Sequence, residues 1–390
     1  MKKVVRCGVH ASSFQEASND LCDVGEISVS AERVRRVTER IGNERVAERD
    51  AQVAAYEALP IPARREAPAD QPKPSVVCVQ MDGGRLQIFD RESPERNENN
   101  TLWREMKVGC LWTMTSEVST EDPCPQLPTS FLDRERVRKM VREIKGFSAE
   151  AAAEDESEDD EPRIDERARR PQPLARSVVA SRRGIEEFGK LLASEAYWRG
   201  FAAADRKAFV GDGAEANWGV WRRDFSDYVP IIDFIHVLTY VYAAAMTGQS
   251  AAAGWRAYRL WAQWLWGGEV DRVIEALQLR QQALGEANSD TSATAPSAVV
   301  ATSLGYLQNH RAKMDYPAYR KAGLPITSAY VESTVKQVAR RMKGTEKFWS
   351  HGAEPMLTLV ADHLSDTPTL NKFWTNRHRQ QTGTRQQTAA

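Results

Sequence analysis

The chain has 390 residues, 27 % charged and 42 % hydrophobic, which suffices for two or three domains and a sizeable core. Its 53 Lys+Arg and 54 Asp+Glu leave a formal net charge of -1, so no global basic excess announces a nucleic-acid partner. No stretch approaches the roughly 20 apolar residues of a membrane span, Met1-Lys2-Lys3 is not followed by a secretory apolar run, and Cys7, Cys22, Cys78, Cys110 and Cys124 form no C-x-x-C pair, which argues against a zinc site or a disulfide framework.

A cytoplasmic protein with reduced thiols is therefore expected, with Cys78 and Cys110 in the core. Residues 12 to 58 carry helical patterning in two pieces. Ser13 to Asp23 spaces Phe14, Ala17 and Leu21 along one face, Val24-Gly25-Glu26 interrupts it, and Ser30 is placed to N-cap a long second helix. Helix, glycine-containing turn, then a helix with Arg33, Arg35, Arg36 and Arg40 near its start is the outline of a helix-turn-helix. An amphipathic helix pair with a solvated basic face has the same outline. Pro60 to Pro74 is rich in Pro and Ala and reads as a linker.

Ser75 to Met81 is a near-continuous apolar run, as in a strand buried on both faces, and Asp82-Gly83-Gly84 predicts a tight turn after it. Arg85 to Phe89 and Lys107 to Thr115 then give a second and third strand in an antiparallel meander. Residues 131 to 145 are helical and basic through Arg134, Arg136, Arg138, Lys139 and Arg142. From Glu150 to Arg170, 10 acids stand against 4 bases, which predicts a disordered, solvated loop. The balance reverses from His310 onward, with 13 Lys+Arg against 6 Asp+Glu.

Arg182 to Ala204 is an amphipathic helix leading into the most informative stretch. Ala208 to Val210 ends in Gly211-Asp212-Gly213, whose glycines let the backbone turn and present Asp212 beyond a strand's carboxyl end. Val229 to Ile232 delivers Asp233 in the same way, with His236 one turn into an apolar helix. Trp255, Tyr258, Trp261, Trp264 and Trp266 recur at helical spacing and read as helix packing rather than a base-stacking platform. Helices follow over Val270 to Leu284 and from Ala298. Gly323 and Pro325 stop the preceding element, Thr327 or Ser328 caps another helix, and Glu332 lies one turn in.

Asp82 after a first strand, Asp212 after a fourth and Glu332 on a late helix stand in the order expected of a ribonuclease-H-like nucleic-acid enzyme. Carboxylates suit that chemistry because their oxygens hold two Mg²⁺ ions roughly 3.5–4 Å apart, at the attacking and leaving oxygens. Three unrelated surface acids are the plain alternative. Asp233 and His236 are accessory candidates, His236 either bracing the helix start or positioning substrate or water. Lys336, Arg340, Arg341 and Lys343 follow Glu332 at helical spacing, as a solvated face or as phosphate contacts that fix position without reading sequence.

The wording G-D-G-A…W, I-I-D-F-I-H-V-L and Y-R-K-A-G-L-P-I-T-S-A-Y-V-E-S…R-R-M-K-G…F-W resembles the ISKra-type insertion-sequence transposases, bacterial DDE enzymes related to the Mutator-like group. The resemblance runs from near residue 13 to about Leu364. One departure is Thr327-Ser328-Ala329, where the family tends to write glycines around the serine. The resemblance implies an α/β fold with an RNase-H-like mixed sheet. It makes Asp82, Asp212 and Glu332 the catalytic, metal-binding triad for two Mg²⁺ (or Mn²⁺) ions and Asp233 and His236 a D-x-x-H pair. Its partners would be the double-stranded DNA of terminal inverted repeats and targets, contacted by Arg33, Arg36, Arg40, Lys336, Arg340, Arg341 and Lys343, with a homo-oligomer on DNA at the nucleoid. The expected organisation is a helix-turn-helix-like segment at 1–60, a linker at 61–74 and a core at 75–236 with its acidic loop at 150–170. A helical insertion at 237–326, core helices at 327–365 and a disordered tail at 366–390 follow. A DNA-binding remnant without activity and a host nuclease on the same fold are the alternatives.

Overall fold

The computed structural model describes residues 1–69, 71–89, 103–145, 170–285, 287, 291–344 and 349–388. Among these residues, five strands form one mixed sheet: β1 (Val76–Gln87), β2 (Trp103–Thr115), β3 (Gln172–Ser181), β4 (Arg206–Gly211) and β5 (Val229–Ile232). Their spatial order is β3-β2-β1-β4-β5, with β1, β2 and β3 antiparallel and with β4 and β5 running parallel to β1.

Helices α1 (Lys2–His10), α2 (Phe14–Asp23) and α3 (Ala31–Ala58) precede the sheet. α4 (Arg134–Lys145) lies between β2 and β3, α5 (Ile185–Trp198) between β3 and β4, and α6 (Glu215–Asp224) between β4 and β5. α7 (Phe234–Met246), α8 (Ala251–Trp266), α9 (Val270–Leu284), α10 (Pro296–His310) and α11 (Tyr316–Lys321) follow β5. They form the helical stretch expected at 237–326. Next come α12 (Ala329–Met342), α13 (Ala353–Leu364) and α14 (Thr369–Thr388). No helix among the described residues is long and apolar enough to cross a membrane.

Asp82-Gly83-Gly84 is not a turn. β1 runs straight through it, with Asp82 opposite Val108, Gly83 opposite Lys107 and Gly84 opposite Met106, so the two strands expected at 75–81 and 85–89 are one. The glycine serves clearance instead: a Cβ at Gly84 would lie 2.5 Å from Met106 Cε and 3.5 Å from Val335 Cγ1. Lacking it, the strand leaves room for the Met106 side chain of β2, and Val335 of α12 packs at ordinary contact distance on the same face. α5 covers the opposite face, where Phe188 and Leu192 occupy the space over Gly109. β3 was not anticipated; its first residues, Gln172 to Leu174, are exposed and show no alternation of apolar side chains.

The N-terminal helices keep the expected outline, with Ser13 and Ser30 capping α2 and α3 through the backbone N–H groups of Glu16 and Arg33. They are not a separate module, however. α3 packs along α13, and Val5, Val9 and Ile41 join the same buried core as the sheet. Arg341 fastens this junction and corrects an expectation, because it is only 5 % exposed and cannot present its charge to DNA. Its Nε and Nη2 donate to the carbonyl of Gly8 at 3.0 and 2.9 Å, and the guanidinium lies 4.6 Å from the Phe14 ring centroid and 5.4 Å from that of Trp349. Burial pushes its pKa down to about 10. Arg341→Ala is expected to lower stability by about 2–3 kcal/mol in urea unfolding, through the loss of charged hydrogen bonds and packing. Exposed Arg340→Ala should stay within about 0.5 kcal/mol, and equal effects would contradict the anchoring role.

The tail expected to be disordered from 366 is helical as α14 over its described part. Phe373 is buried there beneath the Arg45 guanidinium, and Arg377 pairs with Glu44 of α3. Leu370 and Trp374 pack against the core beside it, and these apolar contacts with the ion pair dock the helix. The expected linker contains a helical turn, Ile61–Arg64, whose Arg64 Nε donates back to the Leu59 carbonyl at 2.9 Å. Apart from Arg170, the acidic loop at 150–170 lies outside the described residues. Cys78 and Cys110 are buried free thiols, and burial pushes both pKa values up. The aromatic crowd on α8 is packing, as expected: Tyr258, Trp261 and Trp266 are buried, and Trp266 Nε1 donates to the Cys124 carbonyl at 2.7 Å.

Candidate active site

Three parallel strands deliver three carboxylates to one edge. Gln80 of β1 pairs with Val210 of β4, and Gly211 pairs with Ile232 of β5. Carrying that register forward places Asp82 beside Asp212, and Asp212 beside Asp233. Side chains alternate along a strand, so Asp82 shares a face with Gln80. Gln80 Nε2 donates to the Thr327 carbonyl at 2.9 Å, just before α12, so Asp82 faces the helix that carries Glu332.

Asp212 sits in a turn that its neighbours over-determine. Its Oδ1 accepts from the Ala214 N–H at 3.0 Å and from Asn217 Nδ2 at 2.8 Å. Its backbone carbonyl accepts from the Tyr306 hydroxyl at 2.7 Å, and Tyr306 stacks on Tyr240 with ring centroids 3.8 Å apart. Gly213 completes the turn with φ of 101°, and a Cβ there would lie 2.6 Å from the Tyr306 ring. Gly213→Ala combines left-handed strain with overlap and is expected to cost about 2–4 kcal/mol. Guanidinium denaturation checks this, and a change below about 1 kcal/mol would show that the turn relaxes freely.

Asp233 is fully buried and has a structural task. Oδ1 caps α7, accepting from the N–H groups of Ile235 at 2.6 Å and His236 at 3.0 Å. Oδ2 accepts from both the N–H and the hydroxyl of Ser328, the N-cap position of α12. Ser328 thus stands where a cap was expected, but its hydroxyl caps no backbone N–H of α12 and instead faces Asp233, with Glu332 Oε1 at 3.5 Å. One carboxylate therefore ties the starts of two helices together and fixes how α12 holds Glu332 over the strand ends. His236 Nδ1 lies 3.6 Å from Asp233 Oδ1 and 3.6 Å from Glu332 Oε1, contacts of ion-pair length without a hydrogen bond.

The electrostatics are those of crowded acids. Burial raises the pKa of Asp82, and the nearby charge of Asp212 adds to the rise against the Gly83 N–H. Burial likewise raises Glu332, with Asp233 and Asp82 pushing the same way and His236 opposing them. For Asp233 the burial cost is outweighed by His236 and Ser328, and its pKa falls. Burial disfavours the His236 imidazolium, yet Asp233, Glu332 and Asp212 together push its pKa up to about 9.

This donor set fits a hard divalent cation. Asp82 Oδ1 is engaged by the Gly83 N–H and Asp212 Oδ1 by Ala214 and Asn217, whereas neither Oδ2 accepts a hydrogen bond among the described residues. Carboxylates near enough to raise one another's pKa, as Asp212 does for Asp82 and Asp82 for Glu332, are of the type that Mg²⁺ or Mn²⁺ coordinates. Among the described residues, the ligand atoms that fall within 4.8 Å of one another are those of Asp233, His236 and Glu332, not those of Asp82, Asp212 and Glu332 taken together. Both Asp233 oxygens are already committed to hydrogen bonds, so that trio suits a brace better than a metal centre.

The basic candidates divide. Lys336 and Arg340 are exposed on α12 and Lys343 is partly exposed at its end, while Lys336 Nζ is 3.0 Å from Glu143. Arg33, Arg36 and Arg40 are exposed on the first turns of α3, with Arg36 3.5 Å from Glu32. Residues that sequence reasoning passed over are Asn217, Ser328 as a partner of Asp233, and Tyr306. Asn217 had a legible signal, five residues after Asp212 on the next helix. Tyr306 had none, because it arrives from a distant helix. No protein-family model matches the chain, and no curated protein matches it.

Proposed function

We propose that this chain is a DNA transposase of the DDE type, with an RNase-H-like core that cuts and joins DNA strands using two Mg²⁺ (or Mn²⁺) ions. The observation that carries the reading is the convergence of Asp82 from β1, Asp212 from the end of β4 and Glu332 from α12 on one sheet edge. The strand order β3-β2-β1-β4-β5, with only the first three strands antiparallel, supports an RNase-H-like core. So does the helical stretch between β5 and the glutamate helix.

Bound ions would supply an acidified attacking water or hydroxyl and charge stabilisation at the leaving oxygen. Asp82, Asp212 and Glu332 would hold them. Asp233 keeps Glu332 in place by clamping α12 to α7. His236 offsets the charge between Asp233 and Glu332. Lys336 and Arg340 would hold phosphates beside the site, positioning the duplex without reading its sequence. In this reading the substrates are terminal inverted repeats and target DNA, handled by a homo-oligomer in the bacterial cytoplasm.

The test is incubation of the full chain with a labelled duplex taken from the DNA flanking its reading frame, with a target plasmid and Mg²⁺ or Mn²⁺. Nicking at a repeat followed by covalent joining to the plasmid is the expected result. Cutting without joining would replace the reading with a nuclease, and repeat binding without cutting would leave a DNA-binding remnant.

A further inference from the structure

We infer that α4 is a second duplex-DNA-binding ridge, beside the basic face of α12 and flanking the carboxylate edge; this rests on the reading of that edge as a DNA-processing site. α4 buries Val137 and Val141 at i, i+4, packs Met140 against the core beside them and turns its opposite arc outward. The exposed arc carries Arg136, Lys139 and Arg142 against Glu135 and Glu143, while Arg134 and Arg138 are partly buried at its margins.

Three attachments fix where the arc points. At its start, Arg134 Nη2 donates to the Ala251 carbonyl at 2.9 Å and its guanidinium lies 5.8 Å from the Trp255 ring centroid. Along its length α4 packs on α7, the helix that begins with Asp233 and His236. Near its end Glu143 pairs with Lys336 at 3.0 Å, one helical turn from Glu332. The helix is thus held against both helices that contribute to the site, and one of its two acids is already partnered.

The need for such a ridge follows from charge. Crowded carboxylates repel a phosphate backbone, and a chain of net charge -1 has no overall field to overcome that. Duplex binding at this edge requires local cations on its flanks. α12 supplies Lys336 and Arg340, and α4 supplies a longer row held at a fixed angle to it.

The experiment measures anisotropy of a fluorescein-labelled duplex of arbitrary sequence against the full chain in EDTA, over a NaCl series, for the parent, Arg136→Gln/Arg142→Gln and Arg136→Lys/Arg142→Lys. The glutamine pair is expected to bind roughly tenfold more weakly and to reduce the slope of log Kd against log salt by roughly 1.8, about 0.9 for each phosphate no longer neutralised. The lysine pair should restore both, and matching thermal melts of the three proteins exclude unfolding as the cause. An unchanged slope in the glutamine pair, or no duplex binding by the parent, overturns the ridge. Because binding is read without metal, absence of cutting with the slope effect intact would sink only the transposase reading. An unchanged slope in a chain that cuts would sink only the ridge.

Discussion

Asp212→Asn is expected to reduce metal-dependent DNA cleavage by about 10³-fold while leaving stability within about 1 kcal/mol of the parent, because charge stabilisation worth about 4 kcal/mol is about three decades in rate. The asparagine is a sharper probe than alanine. Both hydrogen bonds to the Asp212 side chain end on Oδ1, from Ala214 and Asn217, and an asparagine carbonyl can accept them in place. What it removes is the negative charge and the uncommitted oxygen. Single-turnover cleavage of the labelled duplex at several Mg²⁺ and Mn²⁺ concentrations, beside a urea titration of both proteins, makes the comparison. Cutting by the variant at the parental rate would remove Asp212 from the chemistry and with it the proposed triad.

Asp233→Ala should be the most destabilising single change at this edge, at about 3–5 kcal/mol, the range for orphaning partners of a buried charge. It strips the cap from α7 and leaves the N–H groups of Ile235, His236 and Ser328 without their carboxylate. Asp233→Asn is expected to recover only part of this. Its carbonyl can still cap α7, but its amide then meets the Ser328 N–H donor to donor. Ser328→Ala removes only the hydroxyl's hydrogen bond and should cost about 1–2 kcal/mol. Cleavage should fall about 100-fold in whichever Asp233 variant still folds, since a displacement near 1 Å of Glu332 is enough. Urea unfolding of the three variants measures the ranking. If Asp233→Ala is no less stable than Ser328→Ala, the carboxylate is not the clamp between the two helices.

Much of this architecture was legible because local chemistry and tertiary structure agree. Ser13, Ser30 and Ser328 mark helix starts that exist, and the glycine-flanked Asp212 does follow a strand. The helices at Trp255 to Trp266 and Val270 to Leu284 carry their signal in apolar spacing. Such signals survive because each depends on residues within a turn or two of one another.

What failed depends on partners distant in sequence. Asp82-Gly83-Gly84 has turn composition, yet β2 pairs across it and Met106 of β2 takes the space a side chain would fill. Arg341 continues a basic helical face in sequence, but Gly8, Phe14 and Trp349 close over it, and only the fold brings them there. Tyr306 reaches Asp212 across 94 residues. The sequence by itself determined the acids, the order in which they occur and the helix and strand ends that present them, because capping and alternation act locally. Tertiary structure decided which acids meet and what each does. Asp233 became a clamp because packing enclosed it among four donors, whereas Asp82, within β1, and Asp212, just past β4, each kept an oxygen that accepts no hydrogen bond among the described residues.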